Sequence, residues 1–185
     1  MYLYGANIFL REYRSDDLPA IRAWVNDPET VKYLSTRYWT AQSVSNTAEF
    51  LDQATRSLGG NAAYFVIADN ADERYVGQID LISINWKLRS AELAMVIGAE
   101  ALRGKGIGQQ AIALMLAFAF DTMGLERVEL EVHADNRRAV RCYEKAGFVH
   151  EGVKRHAYYS EGRFCDVAIM SVLADEWRTR RAQAE

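Results

Sequence analysis

Leu102-Arg103-Gly104-Lys105-Gly106-Ile107-Gly108 is the stretch on which the reading of this chain turns. It follows a β-prone run and opens an apolar stretch of helical composition, so it reads as strand, Gly-rich turn and helix in succession. Three glycines at alternate positions free the backbone of Cβ atoms, which permits φ > 0 and close approach to a ligand. The first N–H groups of the following helix are unpaired and its macrodipole is positive there, so the turn suits an anion. Arg103 and Lys105 add formal charge, and a diphosphate fits such a nest. The plainer alternative is a tight strand-to-helix turn with no ligand, and one Gly-rich motif does not separate the two. Two other phosphate motifs fail on pattern. A Walker loop needs Gly-Lys followed directly by Ser or Thr, and here Gly106 follows Lys105. A dinucleotide turn sits after the first strand of a parallel unit, with an acidic residue about 20 residues on. Glu129 and Glu131 lie near that distance, but the upstream strands read as antiparallel.

Outward from this loop, Ser90–Ile97 is the preceding strand and Gly106–Thr122 the following helix, its stripe of Ile112, Met115, Leu116 and Ala119 reading as core. Arg127–His133 alternates as a strand, so a right-handed strand–helix–strand crossover makes one parallel pair. Upstream, Ile8–Tyr13 reads as a strand. Ser15-Asp16-Asp17 supplies cap chemistry for a helix that stops at Asp27-Pro28, and a second helix is expected from Ala41 to Leu58, ended by Gly59-Gly60. Ala63–Ala68 and Tyr75–Asn85 read as strands around the Asn70-Ala71-Asp72 turn. Downstream, Asn136–Ala146 is a short helix closed by Gly147. Phe148–Tyr159 and Phe164–Leu173 form a hairpin around Glu161-Gly162, and a last polar helix is anchored by Trp177. The expected fold is α+β: a mostly antiparallel mixed sheet with one central parallel strand pair and helices on both faces.

No repeat or flexible linker breaks the chain, so its 185 residues are expected to form a single domain. A chain of that length buries roughly 70% of its unfolded surface and needs no staples. The balance of 22 Lys+Arg against 25 Asp+Glu argues against nucleic acid as the main partner and mildly favours a cationic one. Cys142 and Cys165 make neither a disulfide framework nor a CxxC metal clip, so no metal is expected and a reducing, cytoplasmic setting is the economical reading. Met1–Tyr13 lacks the pattern of a secretory signal. The longest apolar run, Ala111–Phe120, is ten residues, against the roughly 20 a membrane span requires.

Two segments together resemble a known family. Arg103-Gly104-Lys105-Gly106-Ile107-Gly108 looks like the Arg/Gln-x-x-Gly-x-Gly/Ala signature of the GNAT superfamily of N-acetyltransferases. Asp135-Asn136-Arg137-Arg138-Ala139-Val140-Arg141-Cys142-Tyr143-Glu144-Lys145-Ala146-Gly147-Phe148 looks like its second acetyl-CoA segment. The likeness runs from about Tyr2 to Trp177. Trp24-Val25-Asn26-Asp27-Pro28 and Glu161-Gly162-Arg163-Phe164 are typical of the branch holding ribosomal-protein N-terminal and spermidine acetyltransferases. A proline that often precedes the loop is replaced by the connector Gly98-Ala99-Glu100-Ala101-Leu102.

The resemblance implies acetyl-CoA as co-substrate and direct transfer of acetyl to a primary amine. The amine belongs to a protein N-terminus, the acceptor this branch slightly favours, or alternatively to a small molecule such as a polyamine, amino sugar, amino acid or antibiotic. It implies that Ser90–Ile97 and Arg127–His133 splay apart to hold the pantetheine. Backbone groups at Met95, Val96 and Ile97 then bind the pantetheine and the carbonyl oxygen. Arg103, Gly104, Lys105, Gly106, Ile107 and Gly108 take the diphosphate, with Asn136, Ala139 and Tyr143 completing the cofactor contacts. Family members often dimerise, and nothing in this sequence fixes the oligomeric state.

The chemistry requires a neutral amine and a proton for the departing thiolate. Tyr143 is the candidate acid, since a phenol of pKa ~10 is protonated at neutral pH; a core tyrosine is the alternative. Asn136 is either a helix cap or a cofactor contact. Glu92 is the candidate base, directly or through a water, against the alternative of a solvated strand carboxylate; Asp80 and His133 are further candidates. Cys142 reads as packing. Tyr33, Tyr38 and Trp39, with Tyr158 and Tyr159, are expected to rim the acceptor site. A non-catalytic acyl-CoA-binding domain and a nucleotide-binding module remain as rival readings.

Overall fold

Glycine at position 77 lets two strands approach so closely that a Cβ there would lie 2.3 Å from the Val96 carbonyl oxygen. That contact belongs to an eight-stranded sheet in the computed structural model, which describes residues 1–56, 60–98 and 103–184. The strands are β1 (Leu3–Tyr4), β2 (Ile8–Arg11), β3 (Ala63–Asp69), β4 (Tyr75–Asn85), β5 (Ser90–Ile97), β6 (Arg127–His133), β7 (Val149–Ser160) and β8 (Arg163–Leu173). Their order is β1-β2-β3-β4-β5-β6-β8-β7, antiparallel throughout except for the β5–β6 pair. That pair is joined by α4 (Ile107–Ala117), which runs on into a π-helical turn, Phe118–Thr122. The α+β class, the parallel pair and the crossover all match expectation.

The parallel ladder is short. Ser90 pairs with Arg127, Ala91 with Val128 and Glu92 with Glu129, and there the register ends. Beyond it β5 stays zipped to β4 as far as Gly77↔Ile97, while β6 stays zipped to β8 as far as His133↔Val167. The sheet therefore forks, with Glu92 and Glu129 at the crotch.

Helices cover both faces. On one, α4, α5 (Arg137–Ala146) and α6 (Ala174–Ala184) close a core that includes Leu81, Leu93, Ile112, Met115, Leu116, Leu130 and Met170. Ile112, Met115, Leu116 and Ala119 are at most 1% exposed, so the stripe is core, each large member contributing about 1.5–3 kcal/mol by burial. Trp177 anchors α6 against Phe120, ring centroids 5.6 Å apart. On the other face, α1 (Leu18–Trp24) and α3 (Val44–Arg56) pack with Phe9, Tyr13, Val66 and Ala68.

Local chemistry shifts some boundaries. Asp27-Pro28 does not merely stop a helix. The Asp27 side chain accepts from the Glu29 and Thr30 N–H groups and caps a further short helix, α2 (Pro28–Val31), with proline at its first position. Ser15–Asp17 is a 3-10 turn, because the Asp17 carboxylate is taken up by Arg11 and the Arg14 N–H. The first strand ends at Arg11 rather than Tyr13, β1 was not anticipated, and α3 begins at Val44 rather than Ala41. The expected ends of that helix at Leu58 and Gly59, the connector Ala99–Leu102 and the first residue of the loop, Leu102, lie outside the described residues. Gly147, at φ 106°, closes α5, and Glu161 and Gly162, at φ 50° and 80°, form the hairpin turn. Among the described residues no helix is long and apolar enough to cross a membrane.

Candidate active site

The Gly-rich turn leads into α4, with Gly106 at its N-cap. Gly104 and Gly106 take φ values of 79° and 80°, and a Cβ on either would meet nothing within 4 Å. They are therefore glycine for their backbone conformation, not for crowding, and the space before the helix N-terminus stays open. Gly108 differs. A Cβ there would lie 3.3 Å from Cys142 Sγ and 3.4 Å from Met95 Cε, so this glycine lets α4, α5 and β5 meet. Ile107 is buried and Lys105 exposed. Arg103 turns back from the loop: its Nε donates to the Ile97 carbonyl at 3.1 Å and its Nη2 to Thr30 Oγ1 at 2.6 Å.

The fork opens beside this loop. Met95 and Ile97 pack toward α4, whereas Val96 packs toward the α1/α3 core, so β5 shows alternate faces up to its end. On the α4 side sits Tyr143, 7% exposed, its ring 5.7 Å from that of Phe148. Burial, then the neighbouring Cys142, holds its phenol pKa well above the ordinary value. Among the described residues the Tyr143 hydroxyl has no hydrogen-bond partner. Arg11 Nε is the fully occluded, partnerless side-chain atom there, so the Tyr143 hydroxyl keeps contact with solvent. A tyrosine whose ring is buried and whose hydroxyl meets solvent but no protein acceptor is free to donate to a bound group. Ala139 packs on the same helix face, and Asn136 caps α5, accepting from Ala139 N–H at 3.2 Å.

On the opposite face lies Glu92, half-buried between the inward-facing Ala91 and Leu93. Its carboxyl pKa is raised, first by burial and then by the charges of Glu131 and Glu129, with Lys154 opposing. Lys154 pairs with Glu131, and Arg127 with both Glu129 and Glu151. Asp80, on the same sheet face, is buried and pushed up to about 7 by desolvation, while the Phe65 N–H, Tyr13 and Gln78 hold it. It lies in a sealed polar network rather than in the fork. His133 ends β6 and is buried, which lowers its pKa against the pull of Asp135.

Aromatic side chains close the open end. The His133 ring lies 4.2 Å from Tyr158 and 5.7 Å from Tyr33, and Trp39 lies 5.7 Å from Tyr158. Tyr158 donates to the Leu34 carbonyl at 2.5 Å, and Trp39 Nε1 to Tyr158 at 2.9 Å. Of the five expected rim aromatics the structure brings together Tyr33, Trp39 and Tyr158. Tyr38 instead turns inward onto Trp24 in the second core while its neighbour Trp39 stays exposed, and Tyr159, which alternates with Tyr158 along β7, packs on Phe164.

A fork in a mixed sheet beside a glycine turn is a recurrent arrangement, and comparison with known proteins identifies it. The profile of the family described as "Acetyltransferase (GNAT) domain" matches residues 7–149. The chain belongs to the GNAT acetyltransferases. Spermidine N(1)-acetyltransferase of Vibrio cholerae serotype O1 is 30% identical over 143 residues, covering 77% of this chain and 82% of that protein. The Escherichia coli K12 enzyme of the same name is 23% identical over 171 residues, 92% and 88% of the two chains. The crystal structure of the Vibrio cholerae spermidine N-acetyltransferase in complex with CoA and spermine superposes with a TM-score of 0.83 at 28% identity, covering 94% of this chain and 99% of that one.

As a GNAT acetyltransferase the chain uses acetyl-CoA to acetylate an amine. The fork leaves the facing edges of β5 and β6 unpaired beyond Glu92 and Glu129, and the glycine turn leaves the first N–H groups of α4 at an end that favours anions. Cys142, half-buried with its thiol pKa raised by burial, behaves as packing between α4 and α5. Glu129 and Glu131 entered the sequence reading only in the rejected dinucleotide pattern, and Thr30 did not enter it at all. Strand register alone puts the first two beside Glu92, and no spacing rule links Thr30 to Arg103, 73 residues away.

Proposed function

We propose that this acetyltransferase acts on a primary amine of a small polycation of the polyamine class, by direct attack on the thioester. The observation that carries this reading is the crotch of the fork. Glu92 and Glu129 share its last rung, Glu131 lies next along β6, and Tyr143 stands on the opposite sheet face. Three carboxylates answered by Lys154 and the shared Arg127 favour a cationic acceptor. The names of the spermidine-acetylating relatives support the same class.

In this reading Glu92, its pKa raised, takes the ammonium proton, so a neutral nitrogen forms the C–N bond. Backbone N–H groups near Met95–Ile97 polarise the carbonyl oxygen. As the C–S bond breaks, the Tyr143 hydroxyl gives its proton to the thiolate, the acylated nitrogen loses its second proton to solvent, and solvent reprotonates the phenolate. Arg103, Gly104, Lys105, Gly106 and Ile107 hold the diphosphate end.

The test is thiol release from acetyl-CoA with spermidine, an amino sugar and a short peptide bearing a free α-amine. Spermidine should turn over best, and Tyr143→Phe should cut kcat by roughly 10²–10⁴-fold, the range of a lost proton donor, while still binding CoA. Turnover of the peptide alone would replace the polyamine reading, and unchanged kcat in Tyr143→Phe would remove the acid.

A further inference from the structure

The fork leaves the two halves of the sheet unpaired beyond Glu92 and Glu129, yet the halves are joined again at the open end by a different segment. Residues 27–39 cross from one to the other. On the β5 side the anchor is Arg103, whose guanidinium bridges the Ile97 carbonyl, at the very end of β5, and Thr30 Oγ1 on α2. Thr30 in turn donates to Asp27 Oδ2, and its N–H also donates there at 3.1 Å. The Asp27 carboxyl is held below its ordinary pKa, first by the Thr30 hydroxyl and in lesser part by Arg103. On the β6–β8–β7 side the anchors are the Leu34 carbonyl on Tyr158, Tyr33 against His133, and Trp39 on Tyr158.

We infer that Thr30 is a positioning residue that couples occupancy of the cofactor loop to the acceptor wall formed by residues 33–39. Arg103 spends one Nε–H and one Nη2–H on Ile97 and Thr30. A guanidinium has five N–H donors in a rigid fork, so three remain for a diphosphate without releasing Thr30. An anion at the loop then fixes Arg103, Arg103 fixes Thr30, and α2 holds Tyr33 and Leu34 against β6 and β7. The short α2 has little stability of its own, so its order depends on these anchors. Because coupling is reciprocal, the wall seats the acceptor better once the co-substrate is bound.

The inference rests on the cofactor-loop reading, but its test needs no acceptor and no turnover. Amide hydrogen exchange is followed in the full chain with and without saturating CoA, and CoA affinity is measured separately by calorimetry. CoA should slow exchange across residues 33–39 by roughly fivefold or more, the lower end of ordinary site-to-site coupling. Thr30→Ser, which keeps the hydroxyl, should retain that protection. Thr30→Val should lose it, and CoA affinity should fall by the same factor, roughly fivefold or about 1 kcal/mol, because the coupling is reciprocal. Tyr158→Phe, which frees the far anchor, should lose it also. Equal protection in Thr30→Val and the unaltered chain overturns the coupling, as does absence of protection in the unaltered chain. Failure of CoA to bind at all would remove the cofactor loop itself, whereas failure of spermidine turnover leaves this result standing.

Discussion

Glu92 and Glu129 face each other on the last rung that joins the two halves of the sheet. Like charges in register raise the cost of ionising either one, and for Glu92 burial adds the larger share, with Glu131 and Glu129 following. A base with a raised pKa stays protonated further toward neutrality. The acid limb of kcat/KM should therefore follow Glu92. In Glu131→Gln one like charge is gone and Lys154 loses its partner, so both changes favour the Glu92 carboxylate. Its pKa should drop and the limb should move to lower pH. A pH–rate profile with saturating acetyl-CoA checks this; a limb that stays in place would exclude Glu92 as the titrating base.

Gly106 carries the N-cap of α4 at φ 80° with open space where a side chain would project. Gly106→Ala meets no clash, so its cost is the backbone conformation alone, about 1–2 kcal/mol. Gly106→Glu adds a carboxylate at the mouth of the anion site. It should unfold at nearly the same denaturant concentration as Gly106→Ala but bind CoA at least roughly tenfold more weakly, since the carboxylate repels the like-charged diphosphate and offsets the positive helix N-terminus that would attract it. Paired urea melts and calorimetric titrations separate the two effects. Equal CoA affinity in both variants would place the diphosphate elsewhere.

The elements that the sequence made legible are those whose causes are local. The Gly104–Gly106 turn, the Asn136 cap, Gly147 at φ 106° and the Glu161-Gly162 hairpin each rest on residues a few positions apart. The parallel pair followed from strand, helix and strand in succession. What stayed hidden depends on contacts between distant segments. Asp27 looks like a stop signal until the helix it caps is seen, and Tyr38 is indistinguishable in sequence from Tyr33, although one enters the second core and the other the wall. The acidic partners of Glu92 come from register on a strand 37 positions away, which no periodicity reports.

Asp80 gives the fold a pH dependence of its own. Its carboxyl is pushed up from 3.8 to about 7 by burial, although Tyr13, Gln78 and the Phe65 N–H all donate to it. The folded state thus holds this proton more tightly than the unfolded chain. Asp80 contributes stability that is fully present below pH about 4 and is lost as pH rises through about 7. Asp80→Asn keeps the shape and cannot ionise. Its stability relative to the unaltered protein should improve from pH 5 to pH 8, by up to roughly 3 kcal/mol. Urea unfolding at the two pH values measures it, and a constant difference would show that Asp80 is already ionised at pH 5.

Arg11 and Asp17 form a bidentate pair at 2.9 and 2.7 Å with both side chains almost wholly buried. Arg11 also donates to the Glu12 and Glu73 carbonyls, yet its Nε is occluded and has no partner. Such a pair need not add much net stability, because removing two charges from water offsets their attraction. Breaking it is another matter. Asp17→Asn leaves a buried guanidinium without its counter-charge and weakens the acceptor of the Arg14 N–H, so it should cost about 3–5 kcal/mol. Arg11→Met should cost a similar amount by stranding the carboxylate. The double variant Arg11→Met/Asp17→Asn should cost less than the sum of the two, because neither charge is then left alone. Additive losses in urea unfolding would mean that the two side chains act on the fold independently, contrary to their geometry.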